Sequence, residues 1–180
     1  MWLPDMARVE LLETSEDPRA QGLIERLRAG RRGNLLGIYK ALLHNGRLAE
    51  TWFEHLNAVR WETELSGRLR ELLIIRVGWR LDCAYIQRQH IPKLAEPEGL
   101  DADDCAALLQ EDVGTRFDQA ERAAIALADE LTVSARASQA SVDRILDDFS
   151  EKQLVEMMVL IGTYNMHARF VNGLDIDLEP

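Results

Sequence analysis

The chain has 180 residues, 47% hydrophobic and 29% charged, the balance of one folded globular domain rather than a disordered segment. Its formal charge of −10 repels phosphate backbones and anionic lipid, which excludes nucleic acid and membrane surfaces as general partners. Two cysteines, Cys83 and Cys105, make no disulfide framework, and neither a leader nor an apolar run of membrane-spanning length is visible, so the expected compartment is the cytoplasm with both thiols reduced.

Residues 1–18 carry Pro4, Pro18 and scattered charge without a period, and read as an N-terminal arm. From residue 19 to 180 the pattern is that of one all-α, bundle-like domain. Leu23, Ile24 and Leu27 give a short amphipathic helix ending at Gly30, followed by the basic turn Arg31-Arg32-Gly33. Leu35, Leu36, Tyr39, Leu42 and Leu43 form a second stripe, stopped by Asn45-Gly46; Leu48, Trp52, Leu56 and Val59 form a third. Ser66 is the expected N-cap of a fourth helix carrying Leu69, Leu72, Leu73 and Val77. Asp82 is the expected N-cap of a fifth starting at Cys83, which Pro92 should kink or end near Ile91.

Asp101 starts a short helix, and Asp118 with Glu121 reads as a capping box for the stripe Ala120, Ala124, Leu127 and Leu131. A helix around Val142, Ile145, Leu146 and Phe149 follows. Ser150 with Gln153 is a second capping box, opening a helix that is apolar nearly all round, runs to about Asn172 and should be the central core helix, with Gly173 as its C′ residue.

Chemistry concentrates in the hairpin of the fourth and fifth helices, from Glu71 to His90. With the turn near Leu81-Asp82, residues whose numbers sum to about 163 lie level on antiparallel helices. Glu71 and His90 meet that condition, and a carboxylate beside an imidazole orients the ring and raises its basicity, as acid/base catalysis requires. Cys83 opens its helix, where backbone N–H groups favour a thiolate. It stands roughly 10 Å from His90 along an ideal helix, too far for a direct thiol–imidazole bond. Tyr85 at the hairpin mouth offers a hydroxyl donor. The remaining histidines, His44, His55 and His167, show no ligand spacing, and no metal site is expected.

Arg70-Glu71-Leu72, Cys83-x-Tyr85 and His90-Ile91-Pro92 resemble the carboxymuconolactone decarboxylase family, which includes the alkylhydroperoxidase-D-like proteins. Its redox branch carries E-x11-C-x-x-C-x-x-x-H; Glu71, Cys83 and His90 fall on that motif, and Ile86 stands at the second cysteine. Phe117, Glu121-Arg122, Asp129-Glu130-Leu131, Gln153 to Glu156, Tyr164-Asn165 and Arg169 extend the resemblance over most of the chain from about residue 34. It implies an alkylhydroperoxidase-D-like helical bundle with a central hairpin, assembled as a homo-oligomer (dimer, trimer or hexamer) and needing no cofactor.

The same resemblance implies His90 as general acid/base, Glu71 as its orienting carboxylate, Tyr85 as a donor, and Arg169 or the Arg31-Arg32 turn as the partner of a substrate carboxylate. The expected activity is that of a lyase or proton-transfer enzyme on a small carboxylated or carbonyl metabolite. The alternatives are a thiol-dependent hydroperoxide reductase using Cys83, for which Ile86 removes the local disulfide, and a non-catalytic oligomeric scaffold or ligand binder. Against these stand plain structural readings: His90 as a satisfied half-buried residue, Glu71 as a partner of Arg68 or Arg70, Cys83 and Cys105 as core packing, and Met157, Met158 and Met166 as core filling.

Overall fold

The computed structural model describes residues 7–30 and 34–177, so the basic turn at Arg31-Arg32 and the first six residues of the arm lie outside it. Among the described residues there are helices and turns and no strand. The helices are α1 (Pro18–Gly30), α2 (Gly37–Leu42), α3 (Gly46–Trp61), α4 (Gly67–Arg80), α5 (Ala84–His90), α6 (Ala102–Leu108), α7 (Gln119–Ser134), α8 (Gln139–Leu146) and α9 (Glu151–Leu174). No helix among these residues is long and apolar enough to cross a membrane.

The chain groups into two compact units, residues 1–58 with 170–180, and residues 59–169. In the first, the arm is extended and tied down by its backbone: Arg8 N–H donates to Leu174 O at 2.8 Å and Leu12 N–H to Lys40 O at 3.2 Å. Its core gathers the predicted stripes, with Leu23, Leu27, Leu35, Ile38 and Ala49 all buried.

The second unit is organised around α4, which packs against α5, α6 and α7. Leu72, Leu73, Ile74 and Ile75 are each 0% exposed, so this helix is buried on every side. Its polar groups are met accordingly. Ser66 Oγ accepts from Leu69 N–H, as the sequence predicts, and the nearly inaccessible Arg76 guanidinium is held by Asp129 and by the carbonyls of Leu108 and Gln110. Both expected capping boxes form, at Asp118/Glu121 and at Ser150/Gln153.

Three local expectations are corrected. Asp82 is not an N-cap: its φ of 48° places it in the left-handed region. It closes α4 as the C′ residue of a Schellman turn, with Asp82 N–H on Trp79 O and Cys83 N–H on Gly78 O, and Cys83 becomes the N-cap of α5. Gly173 does not stop α9 either; Asp175, at φ 55°, does so by the same pair of bonds, to Asn172 O and Val171 O. Pro92 acts where expected: α5 ends at His90, and the chain runs on through a wide π turn, Ile91–Ala95, and a 3₁₀ turn, Glu96–Glu98, before Gly99 at φ 91° breaks it.

The third correction concerns the long helix. α9 buries Met157, Leu160, Ile161 and Tyr164 but leaves Val155 59%, Val159 44% and Met166 43% exposed. It carries an outward apolar stripe, and Met166 is not core filling.

Candidate functional site

The tight turn between α4 and α5 sets the two helices side by side, and the level-matching expected of Glu71 and His90 is met. His90 Nδ1 lies 2.5 Å from Glu71 Oε2, with Glu71 at 0% and His90 at 6% exposure. A carboxylate only accepts, so Nδ1 carries the hydrogen and donates it, leaving Nε2 with a lone pair.

Burial acts to raise the pKa of Glu71, yet the hydrogen bond from His90 and the charges of His90, Arg60 and Arg70 outweigh it and hold the carboxyl below its ordinary value. For His90, burial dominates in the other direction: loss of hydration, with the nearby Arg60 and Arg70 charges, lowers its pKa although Glu71 pulls it up. The resting pair at neutral pH is therefore a carboxylate and a neutral imidazole.

Arg60, from the end of α3, brings Nη2 to 3.3 Å from Glu71 Oε1, and Arg70 brings Nε to 3.7 Å from the same oxygen. Both guanidiniums lie 4.7 Å from the ring centroid of Trp61, which is 58% exposed. Arg70 donates through Nη1 to Arg60 O and through Nη2 to Glu98, while its buried Nε makes no hydrogen bond. Arg60 keeps a buried Nε that has no hydrogen-bond partner. Sequence spacing gives no sign of Arg60 in this place, because it comes from a different helix.

On its other side His90 meets aromatic rings. Tyr164 of α9 stands edge-on to it at 5.5 Å, His167 stacks on Tyr164 at 5.6 Å and 16°, and Tyr85 lies 6.0 Å from His167. Tyr85 is thus buried within the cluster. His167, which the sequence leaves as an isolated histidine, is buried there too. Loss of hydration, then the charges of His90 and Arg60, push its pKa down to about 3.

Cys83 is 0% exposed. The N–H groups of Tyr85 and Ile86 do reach its sulfur, as its place at the start of a helix suggests, but burial is the larger effect and raises the thiol pKa. Cys105 is likewise buried with a raised pKa, and both cysteines are free thiols. Arg169 is exposed and donates back to Asn165 O and Oδ1 on its own helix, so it does not join the cluster around Glu71. No group of three His, Cys, Asp or Glu side chains suited to a metal ion occurs among the described residues.

Residues 46–130 match the model of the carboxymuconolactone decarboxylase family. No curated protein matches the chain. Solved structures share the fold. A peroxidase-related protein from Silicibacter sp. TM1040 superposes with a TM-score of 0.82 at 17% identity, over 97% of this chain and 93% of that one. A putative antioxidant defence protein AhpD from Agrobacterium tumefaciens gives a TM-score of 0.68 at 21% identity, over 73% of this chain and 90% of that one. The debrominase Bmp8, in complex with 2,3,4-tribromopyrrole, gives 0.78 at 17% identity, over 97% and 94%. At these identities what is shared is the all-α, alkylhydroperoxidase-D-like fold.

Proposed function

We propose, starting from the match of residues 46–130 to the carboxymuconolactone decarboxylase family model, that the protein is a cofactor-free proton-transfer enzyme of the lyase type, acting on a small carboxylated carbonyl compound. The observation that carries this reading is the buried Glu71–His90 pair, with Nδ1 committed to the carboxylate and Nε2 left as the base. A neutral imidazole in a dry site takes up and gives back one proton near neutral pH, and general acid–base help of this kind is worth about 10²–10⁴-fold in rate.

In the proposed reaction the bond from the substrate's carboxylate carbon to its neighbour breaks and carbon dioxide leaves. The bonding electron pair moves into the adjacent carbonyl as an enolate. His90 draws a proton from water through Nε2 and delivers it to the carbon that lost the carboxylate, and the hydroxide left behind combines with the released carbon dioxide as bicarbonate. Glu71 stabilises the imidazolium in the interval, and the buried Nε of Arg60, which makes no hydrogen bond, is the donor assigned in this reading to the developing oxyanion. Tyr85 walls the site.

The second reading, a thiol-dependent hydroperoxide reductase, draws on the peroxidase-related and antioxidant-defence descriptions of the structural neighbours. Against it stand the inaccessible sulfur of Cys83, its raised pKa, and Ile86 in place of a resolving thiol.

The deciding experiment sets decarboxylation of 4-carboxymuconolactone beside reduction of tert-butyl hydroperoxide by a dithiol, in the parent chain and in Cys83→Ser, His90→Asn and Glu71→Gln. Lyase activity that survives Cys83→Ser and falls at least about 100-fold in the other two supports the proposal. Hydroperoxide turnover that vanishes in Cys83→Ser replaces it with the reductase. The stripe Val155, Val159 and Met166 supports homo-oligomer formation as well.

A further inference from the structure

In the unit formed by residues 59–169, Arg60, Arg68, Arg70, Arg76, Arg80 and Arg116 each pair with a carboxylate. Arg122 and Arg144 do not. Arg122 donates through Nη1 to Phe117 O, and Arg144 donates through Nε to Ala140 O at 3.2 Å. A guanidinium carries five N–H donors, so most donors of both remain unused. Two of the neighbouring carboxylates are engaged elsewhere. Glu121 binds Arg68, and Glu130, which feels the charge of Arg144, accepts from Ser138 N–H at 2.8 Å.

These two arginines line a single pocket of about 190 Å³ together with Gln119 and Ala123. Gln119, Arg122 and Ala123 lie in the first turns of α7, and Arg144 lies on α8, which packs against it. Two planar forks and a side-chain amide around a small concavity match the geometry of a bidentate oxyanion. Sites for drug-sized ligands run from about 300 Å³ upward, so the occupant is small. Neither guanidinium is paired with a carboxylate, although the chain as a whole carries a formal charge of −10.

We propose that the pocket between α7 and α8 is a binding site for a small dianion, either inorganic phosphate or a short dicarboxylate, held by Arg122 and Arg144 with Gln119 as a further donor. The site is separate from Glu71 and His90 and does not depend on the reaction assigned to them.

The test is isothermal titration of the full chain at low ionic strength with inorganic phosphate and, separately, with malonate. One saturable site with a Kd of about 1 mM or tighter is expected for at least one of them. Whichever binds identifies the source of the oxyanion. Arg122→Gln and Arg144→Gln should each weaken it at least tenfold, and Arg144→Lys should restore only part of the loss. Arg136→Gln, an exposed arginine outside the pocket, should leave it unchanged. Absence of saturable binding by either anion, or binding that survives Arg122→Gln and Arg144→Gln, overturns the proposal.

Discussion

Ile86 packs against Gly78 so closely that a Cβ on the glycine would lie 2.7 Å from Ile86 Cγ2. The contact joins α4 to α5 one turn from Cys83, and it is made by the residue that stands where the family's redox branch has its second cysteine. Gly78→Ala should therefore destabilise the protein by about 1–3 kcal/mol through overpacking. Ile86→Cys should cost a similar amount by removing buried volume, while creating a C-x-x-C pair. Thermal unfolding of the two variants, with thiol counting of the second before and after mild oxidation, measures both effects. A free-thiol count in Ile86→Cys that oxidation leaves unchanged would show that this turn does not admit the disulfide.

Cys83 should react slowly. Its sulfur is inaccessible and its pKa is raised by burial, so the thiolate fraction at neutral pH is small. Alkylation by iodoacetamide at pH 7 is expected to be at least tenfold slower than for a free cysteine and to accelerate on unfolding. Rapid modification of Cys83 in the folded chain would restore the thiol chemistry that burial here argues against.

Acid should weaken the fold through His167. Its pKa is pushed from the ordinary imidazole range down to about 3. The unfolded chain therefore binds a proton at His167 below about pH 6.5 that the folded chain does not. The stabilisation is complete above that pH and drains by about 1.4 kcal/mol per pH unit on the way down towards 3. Glu71, held below its ordinary value, adds to the loss in the same direction as it is protonated. Urea unfolding at pH 7 and at pH 4.5 should show a clearly smaller difference in His167→Gln than in the parent. An unchanged difference would mean that His167 is not the buried neutral group described.

The sequence made the local features readable. Ser66, Asp118 and Ser150 act within three residues of themselves, so their caps are visible without knowing the fold. Glu71 and His90 were reachable because one tight turn fixes the level at which two helices match. Asp82 misled for a specific reason: an aspartate near a helix boundary reads as an N-cap, but its short side chain also tolerates the left-handed C′ position, which Asp175 takes two residues beyond the expected Gly173. Arg60 and His167 come to the site from α3 and α9, and no local spacing encodes that convergence. The outward stripe of α9 was hidden because an apolar helix pattern does not say what covers each face.

The account rests most heavily on the protonation of His90. Nitrogen-15 NMR of the imidazoles reads it directly, recorded from pH 4 to 8 on the parent chain and on Glu71→Gln, with His90→Asn to assign the signal. The account predicts a neutral ring at pH 7 with its hydrogen on Nδ1, a pKa below the ordinary imidazole value, and loss of the tautomer preference in Glu71→Gln. A ring that is already protonated at pH 7, or one with its hydrogen on Nε2, would contradict it.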